Sequence, residues 1–333
     1  MKKNVLVTGA AGFIGSNFLK RICLANTDVY NFVIVDALTY AGCYETIEKD
    51  ILENESLFFE KVDIRNANKV KEVFNKYDFK GVVHFAAESH VDRSIENPNI
   101  FVETNILGTL NLLNESLKAF ESEPNFKFLH VSTDEVYGDL SNEDPAFTEL
   151  TPLHPNSPYS ASKAGSDHLV QSFFHTYGLP ILITRCSNNY GPFQFPEKLI
   201  PLMINNAISN KKLPVYGDGK NIRDWIHVHD HVDAIWTVWS KGISGEVYNV
   251  GGKSEVQNIE VVKLILKHLG KSEDLISYVK DRLGHDRRYA IDNSKIQNEL
   301  GWVPKRSFDE GLSDTISWYK ENIEWLSIVS EMK

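Results

Sequence analysis

The chain has 333 residues, of which 42% are hydrophobic and 24% are charged, and its formal net charge is −10. This length predicts one large α/β domain with a smaller appended part, and the composition is that of an ordinary globular protein. An acidic balance without a basic stripe argues against nucleic acid as a partner. No stretch approaches the ~18 apolar residues of a membrane span, so we expect a cytoplasmic protein without a membrane partner.

The chain contains three cysteines, at Cys23, Cys43 and Cys186, and none is paired at CxxC spacing. This pattern predicts free thiols in a reducing compartment and no metal site. The apolar run near the first residue is too short for a signal peptide and stops at glycines, so it predicts a strand.

The chain begins with a dinucleotide-binding pattern. A strand, a glycine turn, a helix and a second strand are predicted in this order: 4–8, 9–15, 16–24 and 32–35. Asp36 ends the second strand about 20 residues beyond the glycines, as a dinucleotide fingerprint requires. The turn lets backbone approach a pyrophosphate, and the helix N-terminus faces its charge. A carboxylate at Asp36 accepts bonds from a ribose 2′-OH and repels a 2′-phosphate, which favours NAD over NADP as the cofactor.

The alternation of strands and helices continues to residue 184. Further strands are predicted at 57–62, 81–85, 126–131 and 181–184, and helices at 66–77, 99–120 and 159–177. This order predicts an α/β fold with a doubly wound parallel (Rossmann) sheet. Beyond it the pattern loosens, with a loop at 187–192, helices at 198–210, 231–239, 259–269 and 308–319, and strands at 214–216, 221–226 and 246–250.

We therefore predict two domains. Residues 1–186 form the NAD-binding domain, and residues 187–333 mainly form a smaller, partly interwoven substrate-binding domain. Segments around 221–250 could return to the first domain.

A second motif lies where the strand at 126–131 ends, the edge at which open α/β sheets bind ligands. Thr133, Asp134 and Glu135 follow one another there, and downstream Tyr159 and Lys163 lie at i and i+4 on one helix face. A nearby ammonium and an oxidised nicotinamide favour the phenolate of a tyrosine. Tyr159 could then take a hydroxyl proton while hydride leaves the same carbon, with Thr133 bonding that oxygen. The plainer interpretation is a surface pair on an amphipathic helix and two acids in a solvated turn.

The glycine spacing, the Tyr159–Lys163 pair and the strand pattern resemble the extended short-chain dehydrogenase/reductases that act on nucleotide sugars, over nearly the whole chain. Segments 84–94, 132–138 and 281–289 are similar to those of the dTDP-glucose 4,6-dehydratase family. The resemblance implies oxidation of dTDP-glucose at C4, loss of water across C5 and C6, and reduction at C6 by the same NAD. It also implies that Glu135 is the base at C5 and Asp134 the acid at O6.

The resemblance further implies two groups of binding residues. Those at the cofactor are Gly9, Gly12, Phe13, Ile14, Gly15, Asp36, Ala37, Leu38, Thr39, Asp63, Ile64, Ala87, Thr104, Tyr159, Lys163 and Asn189. Those at the substrate are Ser89, Thr133, Asn188, Lys198, Leu199, Pro214, Val215, Tyr216, Arg223, Asn258, Asp281, Arg282, His285 and Asp286. Arg223 and Arg282 can offer forked donors to a diphosphate, although either could equally form a surface ion pair.

Two departures from the family pattern stand out. Cys43 replaces an expected Asn near the cofactor, and Leu283 replaces an expected Pro in a loop over the diphosphate. Neither removes a catalytic group.

Other functions remain open at this point. A UDP-glucose 4-epimerase needs only Tyr159 and Lys163, and Asp134 and Glu135 argue against it. A UDP- or CDP-sugar 4,6-dehydratase differs only in the nucleotide. A regulatory protein that senses NAD would commonly lose the Tyr and Lys. The resemblance also implies a homodimer joined through the helices near 99–120 and 159–177.

Overall fold

The computed structural model describes residues 2–331, so the outermost positions of both predicted domains, residue 1 and residues 332–333, lie outside it. The strands are β1 Lys3–Thr8, β2 Tyr30–Asp36, β3 Leu57–Lys61, β4 Phe79–His84, β5 Lys127–Thr133, β6 Ile181–Cys186, β7 Asn188–Tyr190, β8 Leu213–Tyr216, β9 Ile222–His227, β10 Val247–Val250, β11 Glu255–Gln257 and β12 Ile276–Val279.

The α-helices are α1 Phe13–Phe18, α2 Glu48–Glu53, α3 Ala67–Lys76, α4 Val91–Glu96, α5 Pro98–Phe101, α6 Thr109–Ser122, α7 Pro158–Tyr177, α8 Leu199–Ile208, α9 Val228–Lys241, α10 Asn258–Leu269, α11 Ser294–Leu300, α12 Phe308–Glu321 and α13 Ile323–Glu331. Two π-helical segments extend this set: Leu19–Cys23 continues α1, and Val102–Gly108 joins α5 to α6.

Seven parallel strands form the central sheet, in the order β10-β6-β5-β4-β1-β2-β3. The order 3-2-1-4-5-6 within it is that of a doubly wound dinucleotide-binding sheet, with its switch point between β1 and β4. Helices cover both faces, and one buried apolar cluster packs on each face. The predicted α/β Rossmann fold is therefore confirmed.

Residues beyond β6 divide between the central sheet and a second layer. β10 pairs with β6, with Val247 opposite Ile183, so this segment belongs to the central sheet. Two small sheets, β11-β9-β7 and β12-β8, pack with α8, α10 and α12 around a third apolar cluster. The chain thus passes back to the first sheet after leaving it.

The predicted loop at 187–192 is wrong in part, because Asn188–Tyr190 forms β7 and pairs with β9 through Asn188 and Trp225. Such a strand exists only through its distant partner, which local sequence does not reveal. The strand β12 is not predicted for the same reason, because it pairs with β8. Helix α4 is not predicted either, since six residues are too few to show a helical period.

Across residues 2–331, no helix is long and apolar enough to cross a membrane. The same residues hold no cluster of three or more His, Cys, Asp or Glu suited to a metal ion. All three cysteines are free and buried.

Candidate active site

A cleft with a volume of about 320 Å³ lies at the carboxyl ends of the central strands. The turn after β1, the end of β2 and the loops after β3, β4, β5 and β6 all contribute to its wall, as expected at a topological switch point. It is lined by these residues of the predicted site: Gly9, Gly12, Phe13, Ile14, Gly15, Asp36, Ala37, Thr39, Asp63, Ile64, Ala87, Ser89, Thr104, Thr133, Asp134, Glu135, Tyr159, Lys163, Asn188, Asn189 and Lys198.

The glycine turn leaves no room for side chains at two positions. Gly9 has φ +74°, and a Cβ there would lie 2.5 Å from the Ala86 nitrogen. A Cβ on Gly15 would lie 2.3 Å from the Gly9 carbonyl oxygen. The start of α1 therefore packs directly on the turn, which presents bare backbone to the cleft.

Asp36 is buried at the end of β2, and its carboxylate fixes the backbone around it. Its two oxygens accept the N–H groups of Ala11 at 2.9 Å and Leu38 at 2.8 Å. Burial raises the pKa of Asp36, and these hydrogen bonds oppose the rise. Each carboxylate oxygen has a second lone pair that can accept a ligand hydroxyl. Leu38 does not line the cleft; its backbone, at φ +53°, serves Asp36 instead.

Strand β5 ends by presenting hydroxyl and carboxyl groups to the cleft. The Thr133 hydroxyl caps a 3₁₀ turn over Asp134–Tyr137 and accepts the Glu135 N–H at 3.3 Å. Asp134 is 1% exposed, and its Oδ2 atom has no hydrogen-bond partner in the described structure. A turn capped in this way holds both acids at the sheet edge rather than in solvent.

The two acids occupy different electrostatic environments. Burial, together with the charges of Glu135 and Asp224, raises the pKa of Asp134 well above its ordinary value. Burial also raises the pKa of Glu135, but the cations Arg282, Lys198 and Arg223 oppose this rise. Asp134 is therefore the group that favours its protonated form, and Glu135 is the group held nearer to cations.

Helix α7 carries Tyr159 and Lys163 into the cleft. Its start is fixed by a Ser157–Ser160 capping box with Pro158 in the first turn, and its end by Gly178 at φ +70°.

The expectation that a nearby ammonium lowers the pKa of Tyr159 is not met in the protein alone. Burial and the charge of Glu135 raise that pKa, and the Thr133 hydroxyl opposes the rise. The Lys163 amine instead donates to the Val131 carbonyl at 2.9 Å.

The remaining predicted substrate residues lie outside the wall of the cleft. They are Leu199, Pro214, Val215, Tyr216, Arg223, Asn258, Asp281, Arg282, His285 and Asp286. Val215 is 2% exposed and belongs to the third apolar cluster, whereas Tyr216 is 43% exposed. The Asn258 side-chain oxygen is buried and has no hydrogen-bond partner among residues 2–331. All ten residues follow β7 in the chain.

Contacts and charges connect the residues outside the cleft wall to the cleft. Lys198, on the cleft wall, donates to the Ser89 carbonyl at 2.8 Å. Arg223 is buried, donates to the Asp286 carbonyl at 2.9 Å and lies 4.3 Å from the centre of the Tyr289 ring. Arg282 lies 3.6 Å from Asp92, and its Nε atom has no partner among the described residues. Arg223 and Arg282 both oppose the rise in the pKa of Glu135, so the charges of the residues outside the cleft wall reach the cleft at this acid.

Several residues on the cleft wall were not predicted from the sequence. They are Val35, Tyr40, Ala41, Gly42, Val62, Arg65, Phe85, Ala86, Glu88, Ile100, Val131, Ser132, Cys186, Ser187, Gln194, Phe195 and Glu197. Many of them follow a predicted strand, so their position after β3, β4 or β6 was the sequence feature that could have identified them.

Cys43 does not line the cleft; it packs with Phe195 and Val329. Leu283 is 75% exposed.

The residues present fit a dinucleotide of the NAD type. The bare glycine turn and the Asp36 carboxylate form a cradle for pyrophosphate and ribose. Deeper in the cleft, Asn188 has a buried side-chain oxygen without a partner in the described part of the chain, and so has Asp134. Polar atoms left unpaired in a buried cleft indicate a ligand that pairs with them.

Comparison with known proteins agrees with this geometry. Residues 6–315 match the family described as GDP-mannose 4,6 dehydratase. The chain is 53% identical over 335 residues to a dTDP-glucose 4,6-dehydratase of Xanthomonas campestris pv. campestris, covering 96% of this chain and 94% of the relative. It is 50% identical over 339 residues to that of Neisseria meningitidis serogroup B, covering 97% and 95%.

A solved structure gives the same result. The dTDP-glucose 4,6-dehydratase of Streptomyces venezuelae, crystallised with NAD and dTDP, superposes with a TM-score of 0.92 at 44% identity. The match covers 98% of this chain and 99% of that one. Taken together, the fold, the cleft and these similarities show that the chain belongs to the GDP-mannose 4,6-dehydratase family, among relatives that are dTDP-glucose 4,6-dehydratases.

Proposed function

We propose that this chain converts dTDP-glucose to dTDP-4-dehydro-6-deoxy-glucose and water, as an NAD-dependent hydro-lyase. The observation that carries the proposal is the pair of acids with different electrostatic environments, Asp134 and Glu135, beside Tyr159 at one sheet edge. Identities of about 50% over nearly the full length to dTDP-glucose 4,6-dehydratases support it. An epimerase has no step for which such a pair is needed.

Four residues of the cleft have chemical roles in this reaction. Thr133 and Tyr159 bind the C4 hydroxyl, and Tyr159 takes its proton as that carbon is oxidised. The C5 hydrogen is then acidic, because it lies α to a carbonyl, and Glu135 removes it. Asp134, held protonated by burial, gives its proton to the departing C6 oxygen.

NAD is the cofactor, and when bound it accepts a hydride and returns one within the same turnover. The glycine turn would hold its pyrophosphate, and Asp36 its ribose. Lys163 would carry a positive charge beside Tyr159. Two backbone N–H groups fix the Asp36 carboxylate at the end of β2, where its charge would repel a 2′-phosphate, and this supports a preference for the unphosphorylated ribose.

The nucleotide half of the substrate would lie toward the second layer. Arg223 and Arg282 supply cations near Glu135, which suits a diphosphate beside the reacting sugar. Tyr216, Asn258 and the segment 281–286 would surround the nucleoside. Residues 187–333 would thus mainly bind the nucleotide sugar, with the part around β10 returned to the sheet of the NAD-binding half.

The reaction can be tested with dTDP-glucose in deuterated water. The chain should give a 4-keto-6-deoxy sugar with deuterium at C5, seen by NMR and by absorbance of the keto sugar. Tyr159→Phe is the matched control, since it keeps the ring but loses the proton acceptor, and it should bind NAD without turnover. A product changed only at C4, without deuterium at C5, would instead indicate an epimerase.

A panel of dTDP-, UDP-, CDP- and GDP-hexoses would separate the nucleotide classes. Thymine and uracil differ by one methyl group, which a pocket distinguishes by only ~1–3 kcal/mol. We therefore expect the highest kcat/KM for dTDP-glucose, with UDP-glucose as a slower substrate rather than an inert one. Equal or higher kcat/KM for UDP- or CDP-glucose would reassign the substrate.

We further propose a cytoplasmic homodimer. Val102, Leu107 and Tyr177 are 46%, 49% and 54% exposed on the helices expected at the interface. Three free thiols support a reducing compartment. Analytical ultracentrifugation should give twice the chain mass, and Leu107→Glu should give the monomer. A wild-type monomer at micromolar concentration would contradict the proposed assembly.

A further inference from the structure

Helix α7 carries a third polar residue on the stripe that holds the proposed catalytic pair. Tyr159, Lys163 and Asp167 lie at i, i+4 and i+8, and all three are buried. The Asp167 side chain is 0% exposed. A carboxylate that is fully removed from water is costly unless it is paired, so its partners indicate what it does. The reaction steps described above give it no role.

Two strands of the central sheet hold Asp167 from the other side. Arg185 on β6 donates from Nε to one carboxylate oxygen at 2.9 Å, and His130 Nε2 on β5 lies 3.4 Å from the other. Arg185 is in turn anchored by the Tyr137 hydroxyl at 2.9 Å. Arg185 therefore fixes one oxygen of the carboxylate, whereas the other oxygen lies near His130 without a hydrogen bond among residues 2–331.

His130 lies between Asp167 and Lys163. Its Nε2 atom lies 3.4 Å from the Lys163 amine and 3.2 Å from the Ser166 hydroxyl oxygen. Because Ser166 donates its own hydrogen to the Lys163 carbonyl, its oxygen acts as acceptor toward His130. Together with the nearby Asp167 carboxylate, this places the imidazole hydrogen on Nε2. The Lys163 ammonium and this N–H are then both donors, so they lie close together without forming a hydrogen bond. Burial and Lys163 lower the pKa of His130 to about 4, so the ring is neutral at pH 7.

Lys163 needs a negative charge nearby to stay protonated. Burial lowers its pKa to about 8, and Asp167 is the largest influence that opposes this. The groups facing it are Val131 O and His130 from β5, Cys186 from β6, His84 from β4, and Tyr159 and Asp167 from its own helix. Burial raises the pKa of the Cys186 thiol to about 12, so that thiol is neutral at pH 7.

We propose that Asp167 is a positioning residue of the reaction: its buried carboxylate, one helical turn beyond Lys163, keeps the Lys163 ammonium charged beside Tyr159. This inference rests on the proposed roles of Tyr159 and Lys163. It adds a residue that touches neither substrate nor cofactor and acts through Lys163. In the sequence, this arrangement is visible as the four-residue spacing of Tyr159, Lys163 and Asp167.

The test is the pH profile of kcat for Asp167→Asn, which keeps the shape of the side chain and removes its charge. In this profile kcat should fall at high pH as Lys163 loses its proton, and we call this fall the alkaline limb. In Asp167→Asn the alkaline limb should move about one pH unit lower. At pH 9 kcat should then fall about tenfold below wild type, while at pH 6 it should stay within about twofold. KM for dTDP-glucose should change less than about twofold, and Asp167→Glu should restore most of the alkaline activity.

Asp230→Asn is the matched control for loss of a buried acid. Asp230 is 2% exposed and pairs with Arg306, away from the wall of the cleft. It should lower the melting temperature without moving the alkaline limb. If Asp167→Asn likewise lowers stability and leaves that limb in place, Asp167 is purely structural and the proposal is wrong.

Arg185→Gln gives an independent test of opposite sign. It removes the cation that neutralises Asp167, while α7 still carries the carboxylate one helical turn from Lys163, so the alkaline limb should move to higher pH. Should Asp167→Asn not fold, this variant decides: an upward shift supports the proposal, and an unchanged or lower limb overturns it. A wild-type chain that fails to dehydrate dTDP-glucose would instead refute the proposed function, so the two failures are distinguishable.

Discussion

At the scale of single residues, neighbouring side chains differ in chemistry because their surroundings differ. Asp134 and Glu135 are adjacent carboxyl groups on one turn, yet cations oppose the rise in pKa chiefly at Glu135. A carboxyl in a buried site with few counter-charges favours its proton, and one near several cations favours its charge. The turn therefore offers an acid and a base from two similar groups.

Replacing Glu135 by Gln should separate the steps of the proposed reaction. The amide keeps the shape of the side chain but cannot take the C5 proton, so kcat should fall by about 10²–10⁴-fold. Reduced cofactor should still appear at 340 nm, while exchange of the C5 hydrogen with deuterated water should stop. The matched variant Asp134→Asn should retain C5 exchange and lose elimination. Persistent exchange in Glu135→Gln would exclude Glu135 as the base.

Asp36 should govern the choice of cofactor. Its carboxylate is fixed by the N–H groups of Ala11 and Leu38. Asp36→Asn removes the charge, and hydrogen bonds to charged groups contribute about 1.5–3 kcal/mol. NAD affinity should therefore fall about tenfold or more, and the preference over NADP should narrow, as measured by calorimetric titration. An unchanged ratio of the two affinities would place the discrimination elsewhere in the cleft.

At the scale of elements, close packing of backbone shapes the cleft. Helix α1 begins directly against the turn that follows β1, and the π-helical segment Val102–Gly108 brings Thr104 to the wall. In the same segment, the Asn105 side chain joins the loop after β4, through Glu88, to α7, through Ser162. Such segments often occur at functional sites, because an extra residue in the turn redirects side chains.

Gly15→Ala should disrupt the nucleotide cradle. The added methyl would meet the Gly9 carbonyl at 2.3 Å, so the turn and α1 must separate. We expect NAD affinity to fall about tenfold or more, with a lower melting temperature. Gly178→Ala at the end of α7 is the control: φ is +70° there, but nothing lies within 4 Å of the new Cβ. It should cost only ~1–2 kcal/mol of stability and leave NAD affinity unchanged.

At the scale of the whole molecule, the two layers are joined by the chain crossing between them and by buried polar contacts. His231 on α9, which packs on the central sheet, lies 2.8 Å from the Asn189 side-chain oxygen on β7. The ring is 0% exposed, and its other nitrogen has no partner within the described structure. A neutral imidazole therefore sits at the boundary between the layers and next to the cleft.

Burial lowers the pKa of His231 to about 3, against about 6.5 in the unfolded chain. The unfolded state then binds more protons between these values, so stability is lost as pH falls below about 6.5. Relative to His231→Gln, the wild type should lose about 2 kcal/mol of unfolding free energy between pH 7 and pH 5. Urea unfolding of both proteins at the two pH values measures this. A difference that does not change with pH would show that His231 does not titrate on unfolding.

The sequence by itself determined the parallel sheet, because strands buried on both faces are continuous apolar runs and their alternation with helices allows one topology. It also located Gly9 to Gly15, Asp36, Thr133 and the Tyr159–Lys163 pair, since these groups lie at strand ends or at helical spacing. The short strand β7 was beyond local pattern, because it depends on pairing with a distant strand. The strand at 246–250 and its possible return were predicted, but only the structure identifies β6 as its partner. Only the tertiary structure decided the charge states. Burial and the charge of Glu135 raise the pKa of Tyr159, and cations from distant parts of the chain oppose the rise in pKa more at Glu135 than at Asp134. The fold also buries Asp167 one helical turn beyond Lys163.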